Sequence, residues 1–404
     1  MSLVVLIDLD DTLLSNDMSV FLPAYFQELN AKFSLTPQDL LPKASLAASE
    51  GMVRNQFFNK TLEEVFNQHF YPLINSSPDF YREIVNDFYR DNYTRLRFLT
   101  NPMPGASALI ETCITRGYSI AIATNPLFPK TAVNQRVSWS GIDPNHPAIK
   151  LISNFEDFHF AKPHLAYYLE ILCHLGWPER AVMIGNDLKD DIVPADKLGL
   201  PTYWIENHNA HDPPLLNPLR NKGSLDGVIT WLDSIEQKVS PINYSTPEVL
   251  IASLNAAPAF LDTFFRQIPE IFWRFKSHLD EWAPVEILCH FRDVDLELNL
   301  PRVFRVLKDP GAFIPVEKID HYANERKYLD QDPRNALNDF FASRTKLIDV
   351  LSRLDENEWR SPAWHSIYGR ISLVEMVELM LNHDQNHTRQ FSEAVAQGRI
   401  SQDQ

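Results

Sequence analysis

Hydrophobic and polar positions divide the 404-residue chain into two halves with different periodicities. In the first half, short aliphatic runs at 3–7, 119–123, 151–153, 181–184 and 202–205 alternate with amphipathic stretches. Continuous apolar strands separated by helical segments predict a parallel sheet covered on both faces, that is, a doubly wound, Rossmann-like α/β core. Between the first two strands lie more than 80 residues of aromatic-rich helical pattern, such as 21–33, 62–70 and 80–93. That length is too great for a crossover and predicts a helical cap inserted at about 15–100. Its aromatics, among them Phe57, Phe58, Phe66 and Tyr71, are expected to form the cap's own core.

After a stretch at 206–224 rich in Asn, His, Pro and Gly, and a short helical pattern at 231–237, the chain passes through a linker at 239–246. Beyond it the pattern is helical only, with Pro-containing turns and no strand alternation, which predicts an antiparallel four-helix bundle over 247–404. Of the 12 glycines, 9 precede residue 240, as a turn-rich α/β half followed by an all-α half requires. The predicted organisation is therefore 1–238 α/β with its cap, a linker, and 247–404 all-α.

Composition narrows the partners. Lys plus Arg is 37 and Asp plus Glu is 53, a net charge of −16, which disfavours nucleic acid and anionic membranes as partners. With 45% hydrophobic and 22% charged residues the chain has the makings of ordinary cores. Cys113, Cys173 and Cys289 lie in apolar stretches with no Cys-x-x-Cys pair, so reduced thiols and a cytoplasmic location are expected. The run at 3–7 is too short for a signal peptide, and no stretch of 18 apolar residues occurs.

The first cluster of candidate chemistry is Asp8-Leu9-Asp10-Asp11-Thr12 at the end of the first strand, the edge where open α/β sheets bind ligands. Carboxylates gathered there are costly unless a cation binds among them. The second strand ends in Thr124-Asn125, a hydroxyl and an amide suited to phosphate oxygens. Lys162 precedes a helical segment, and Gly185-Asn186-Asp187, followed by Asp190 and Asp191, closes the fourth strand.

In this order the four elements resemble the haloacid dehalogenase-like (HAD) hydrolase superfamily, over about residues 1–238. The resemblance implies a phosphoryl- or carbon-attacking nucleophile at Asp8 and an acid/base at Asp10. It further implies phosphate binding by Thr124, Asn125 and Lys162, and a Mg²⁺ held by Asp8, the Asp10 carbonyl and a residue of the last motif. Asp187 is favoured there as a carboxylate, with Asn186 and Asp191 as alternatives. A carboxylate at Asp10 favours protonation of a leaving oxygen, hence phosphomonoester hydrolysis rather than dehalogenation. The inserted cap suits a small phosphorylated metabolite.

The second cluster lies in the helical half. Ser372 and Glu375 form a capping-box signature opening a helix, on which Met376, Met380, His383, His387 and Phe391 share one stripe. His383 and His387 have metal-ligand spacing, and His290, behind Pro284 on another helix, shares an inward face with Ile287 and Val294. The stretch Trp282-x-Pro284-x-Glu286-x-x-x-His290, with His383-Asp384-x-x-His387-x-x-Gln390, resembles the DinB-like (YfiT-like) four-helix bundles, over about 247–404. That resemblance implies a divalent transition metal, Zn²⁺ or Ni²⁺, on His290, His383 and His387, with Asp384 behind the ligands or at the surface. His278, His321 and His365 are expected to be structural or superficial.

Together these expectations describe a Mg²⁺-dependent phosphatase fused to a metal-binding bundle. Two alternatives stay open: a thiol-dependent transferase or detoxification activity in the bundle, and a bundle serving only for docking or homodimerisation.

Overall fold

The computed structural model describes residues 3–33, 40–206, 217–276, 278 and 280–402. Most of the polar stretch expected between 206 and 224 lies outside them. The chain divides into two compact units, Met1–Ile242 and Asn243–Gln404.

In the first unit six parallel strands form one sheet in the order β5-β4-β1-β6-β7-β8. They are β1 (Val4–Ile7), β4 (Ser119–Ile122), β5 (Ile149–Ile152), β6 (Ala181–Gly185), β7 (Thr202–Ile205) and β8 (Asn221–Gly223). In β1 all four residues are buried, as central strands covered on both faces must be. Pairing of Ile7 with both Ile122 and Ile184 brings the carboxyl ends of β1, β4 and β6 level, so the residues after each strand meet on one edge. Strand β8, Asn-Lys-Gly, has no apolar pattern and was invisible to hydropathy; it adds to the sheet edge through backbone bonds.

A two-stranded ribbon, β2 (Leu14–Ser15) with β3 (Asn101–Pro102), brackets the helices between them: α1 (Met18–Lys32), α2 (Leu40–Val53), α3 (Leu62–Leu73) and α4 (Pro78–Asp87). Helix α3 starts at a capping box in which Glu64 N–H donates to Thr61 Oγ1 (3.3 Å) and Thr61 N–H donates to Glu64 Oε2 (3.2 Å). These helices share one hydrophobic cluster with the sheet and with the flanking helices α5 (Ala106–Thr115), α6 (Lys130–Trp139) and α9 (Gly227–Ile235). Helices α7 (Leu165–His174) and α8 (Val193–Lys197) complete the unit.

The cap aromatics divide in a way the sequence does not foretell. Phe58 and Tyr71 are buried and Phe66 half-buried, but Phe57 is 63% exposed and belongs to no core. Phe66 and Tyr71 face a cavity.

In the second unit, α10 (Pro247–Gln267) packs on α14 (Pro333–Leu351) and α16 (Leu373–Gln402), and α11 (Pro284–Val294) packs on the same two, giving the four-helix core. Helix α10 is apolar and long enough to cross a membrane, and most of it is buried within the unit. Shorter helices are α12 (Leu300–Lys308), α13 (Tyr322–Glu325) and α15 (Glu356–Trp359). The expectation of helices only is corrected here: β9 (Phe313–Ile314), β10 (Pro362–His365) and β11 (Gly369–Ser372) form a small sheet in the order β11-β10-β9. Its alternation is confined to a few residues, with Ala363 and His365 inward and Trp364 outward, too short to register among helical patterns.

Candidate functional site

At the sheet edge of the first unit, Asp8 follows β1 and is anchored by its N–H donating to the Ile184 carbonyl (2.9 Å). Lys162 Nζ donates to Asp8 Oδ1 (2.7 Å) and to Asp191 Oδ1 (2.5 Å), and all three side chains are nearly inaccessible to water. Burial opposes the ammonium, but Asp191 and Asp8 outweigh it and hold the Lys162 pKa well above the ordinary value. Burial, reinforced by the Asp191 charge, pushes the Asp8 carboxyl up to about 7 against the pull of Lys162. Burial likewise raises Asp191 against the same lysine.

Asp10 has a separate partner. Arg136 Nη1, from α6, donates to Asp10 Oδ2 (2.7 Å), and Asn16 Nδ2 donates to Asp10 Oδ1 (2.9 Å). Neither Arg136 nor Asn16 was expected from the sequence. Arg136 is completely buried, and although burial opposes its charge, Asp10 keeps its pKa raised. Helix α6 has polar residues on several sides, so one arginine on it reads as surface; only the fold turns it inward.

The turn that aims these acids is local. Asp11 has φ +57°, and its N–H donates to the Leu14 carbonyl (2.6 Å), folding the chain back into the ribbon. Thr124 is buried at the end of β4, its carbonyl accepting from Ser153 Oγ (2.6 Å) and Tyr167 OH (2.7 Å). Asn125 Oδ1 accepts from the Lys162 N–H (3.3 Å), which joins two of the expected elements.

Within Gly185-Asn186-Asp187 the tasks are distinct. A Cβ on Gly185 would lie 2.3 Å from Asp191 Oδ2, so glycine is needed for that carboxylate to reach Lys162. Asp187 is exposed, and its Oδ1 accepts from the Lys189 and Asp190 N–H groups (both 2.8 Å), capping the π-helical turn Leu188–Ile192. Asn186 is half-buried; its Oδ1 accepts from Thr12 Oγ1 (3.3 Å) and its carbonyl from Trp204 Nε1 (3.0 Å). Asp8, Asp10, Thr124, Asn125, Lys162, Asn186, Asp187 and Asp191 all line one cavity of about 310 Å³. Its acids outnumber its two cations, Lys162 and Arg136, and the oxygens that line it are those of carboxylates and amides, a set that fits a hard divalent cation such as Mg²⁺.

The second unit builds a different centre. His290, on α11, meets His383 and His387, on α16, with one ring nitrogen of each within 4.8 Å of the others. His290 Nε2 and His383 Nε2 are 3.0 Å apart. Gln390 Oε1 can only accept, so the 2.8 Å contact fixes the proton of His387 on Nδ1 and leaves Nε2 as a ligand atom. Burial and the neighbouring imidazoles press His290 down to about 2 and His387 to about 4, so both stay neutral, the ligating form. Buried Nδ1 atoms of His290 and His383 make no full hydrogen bond; the Asp384 carboxylate stands 3.5 Å from His383 Nδ1, too long for one. Three imidazoles converging with one ring nitrogen each fit a borderline divalent metal.

Asp384 is not at the surface. It is buried and paired with Arg344 (Nη1 to Oδ2, 2.6 Å), which also holds Asp295 (Nε to Oδ2, 2.6 Å). Burial opposes ionisation of Asp384, but Arg344 outweighs it and lowers the pKa. A cavity of about 450 Å³ opens on the three histidines and is lined also by Arg302, Tyr368 and His365. His365, on β10, is buried and structural as expected, its Nδ1 accepting from the Ile367 and Tyr368 N–H groups (both 3.3 Å), and it also lines the cavity; His321 and His278 are exposed.

Comparisons with known proteins divide along the same line. Residues 3–199 match the family model described as haloacid dehalogenase-like hydrolase, and 253–391 that of the DinB superfamily. A phosphoserine phosphatase of Thermus thermophilus is 26% identical over 183 residues, 45% of this chain and 66% of the relative. The pyrimidine 5'-nucleotidase PynA of Streptococcus pneumoniae is 28% identical over 142 residues, 34% of this chain and 57% of the relative. The chain thus spans just under two thirds or less of these curated relatives. Among solved structures, a 2-haloacid dehalogenase of Pseudomonas syringae pv. Tomato superposes with TM-score 0.43 at 18% identity, over 58% of this chain and 99% of that one. YfiT of Bacillus subtilis, a four-helix bundle of unusual topology, gives TM-score 0.34 at 16% identity, over 38% of this chain and 87% of that one.

Proposed function

From a chain in which residues 3–199 belong to the haloacid dehalogenase-like hydrolases and 253–391 to the DinB superfamily, we propose a phosphatase that hydrolyses a small phosphomonoester through an aspartyl-phosphate, fused to a metal-binding bundle. The observation that carries it is the pairing of two acids with two different cations in one cavity, Asp8 with Lys162 and Asp10 with Arg136.

In this reading an Asp8 carboxylate oxygen attacks phosphorus, the ester P–O bond breaks, and Asp10 gives its proton to the leaving oxygen. Asp10 then takes a proton from water, whose oxygen attacks phosphorus, releasing inorganic phosphate and restoring the Asp8 carboxylate. The Thr124 hydroxyl and Asn125 amide donate to the phosphoryl oxygens, and Lys162 balances charge between them and Asp8. Asp8, the Asp10 carbonyl and Asn186 would hold Mg²⁺. The ion would supply charge neutralisation at the phosphoryl group. Asn186 is preferred to Asp187 because the Asp187 carboxylate caps the following turn, and to Asp191 because that group serves Lys162. Asp8→Asn should reduce Mg²⁺-supported p-nitrophenyl phosphate hydrolysis by the full chain at least ~10³-fold; unchanged hydrolysis would sink the assignment.

For the bundle, convergence of His290, His383 and His387 supports a bound Zn²⁺ or Ni²⁺, with a thiol-dependent transfer or detoxification activity as one alternative role for it. A docking or homodimerising bundle is the other. Elemental analysis of the full chain should find a metal that is lost in His383→Ala/His387→Ala, and light scattering with and without chelator separates the two readings. A cytoplasmic location is part of the proposal, supported by three buried free cysteines.

A further inference from the structure

Beside the phosphoryl cavity lies a second cavity of about 390 Å³ within the same unit, and Met18, Leu127 and Phe128 line both. Phe128 joins the two linings: the Arg136 guanidinium, which lines the phosphoryl cavity, sits 4.7 Å from its ring centroid, and the Tyr25 ring, which lines the second cavity, meets it edge-on at 5.9 Å. The second cavity is walled by aromatic rings of the cap and by Phe155 from the sheet domain, with Phe66 and Phe155 in tilted contact in its wall (ring centroids 6.0 Å apart).

Its chemistry is one-sided. No Lys, Arg or His lines it among the described residues, and Glu63 is its one carboxylate. A second anionic group on a substrate, such as an amino-acid carboxylate or another phosphate, would find no cation there and would meet Glu63. A sugar or nucleoside would find few partners for its hydroxyls in a wall that is mostly ring and aliphatic carbon: Tyr25 and Tyr89 bond to one another (2.9 Å), and Ser45, Ser49, Asn67, Glu63 and the Tyr71 hydroxyl are the other polar side chains lining it among the described residues. The mouth carries Leu46, 63% exposed, and Leu22, apolar residues facing solvent at the entrance. The volume is within the range of about 300–1,000 Å³ typical of small-molecule sites.

Resting on the phosphatase reading, we infer that this cavity receives the leaving group, and that the substrate class is the monophosphate of an apolar alcohol or phenol carrying no second charge. The phosphoryl group then lies among Asp8, Thr124 and Lys162, and the organic group passes Phe128 into the aromatic chamber.

The test compares kcat/KM of the full chain with Mg²⁺ for 1-naphthyl phosphate and geranyl monophosphate against phosphoserine and glyceraldehyde 3-phosphate. Acetyl phosphate, too small to reach the chamber, serves as reference. The apolar esters should exceed the polar ones by at least ~100-fold, the scale on which apolar pockets discriminate. Ser49→Trp, which fills the chamber, and Leu46→Glu, which charges its exposed mouth, should each lower the apolar esters about tenfold while leaving acetyl phosphate within about twofold. Acetyl phosphate turnover also shows that the variants are folded. If acetyl phosphate is hydrolysed and the polar esters match or exceed the apolar ones, or the variants change nothing, the inference is overturned and the phosphatase reading stands. If wild type hydrolyses neither acetyl phosphate nor any ester, both fall.

Discussion

The two candidate centres treat their buried polar groups in opposite ways. In the first, each central carboxylate has its own internal cation, Lys162 for Asp8 and Asp191, Arg136 for Asp10. In the second, three imidazoles converge, burial holds His290 and His387 neutral, and two ring nitrogens make no hydrogen bond. The first site is preorganised by ion pairs the protein supplies itself, so its geometry need not await a ligand. The second gathers three ring nitrogens that a divalent metal would hold together, so occupancy and stability should be coupled there more strongly.

The sharpest way to break this contrast is Lys162→Met. Losing the shared cation leaves Asp8 and Asp191 buried together, which should cost about 3–5 kcal/mol in denaturant unfolding and abolish phosphatase turnover. A loss well below 1 kcal/mol would mean that the pair is not the organising contact. Next in size, Zn²⁺ or Ni²⁺ at 100 times its Kd should stabilise the second unit by about 2.7 kcal/mol, seen as a calorimetric shift that chelator reverses and His290→Ala removes. Equal chelator sensitivity of both transitions would erase the distinction. Gly185→Ala should cost about 1–3 kcal/mol by forcing Asp191 off Lys162, with activity falling alongside.

A further effect is a pH dependence outside both centres. Burial lowers the His174 pKa to about 4, from an unfolded value of 6.5. Between those values the unfolded chain binds the proton and the folded one does not, so stability is full above pH 6.5 and declines as pH falls towards 4. His174→Phe should flatten that segment of the stability profile; an unchanged slope would assign it to other groups.

Legibility in the sequence followed the range of the interactions. Strands β1, β4, β6 and β7 announce themselves because burial on both faces demands continuous apolar runs, and the acids after β1 stand out because isolated carboxylates at a strand end are costly. The His383 and His387 spacing is visible because a helix repeats on one face every three or four residues. Strand β8 and the small sheet β9–β11 had no such repeat. Charge alone favours Asp187 after Gly185, whereas its capping of the following turn is visible only in the folded chain.

Chain-local physics alone therefore determined that an α/β half precedes a helical half, that Asp8, Asp10, Thr124, Lys162 and the acidic turn after β6 stand at ends of strands or before a helix, and that two histidines share a helix face. Periodicity and strand polarity act within a few residues and need no tertiary contact. Only the tertiary structure decided that Arg136, 126 residues from Asp10, is turned inward to meet it, that Asp384 is buried behind His383, and that an aromatic chamber adjoins the phosphoryl cavity. Those outcomes depend on which elements pack together, and a cation's partner or a cavity's wall has no signature in the sequence around it.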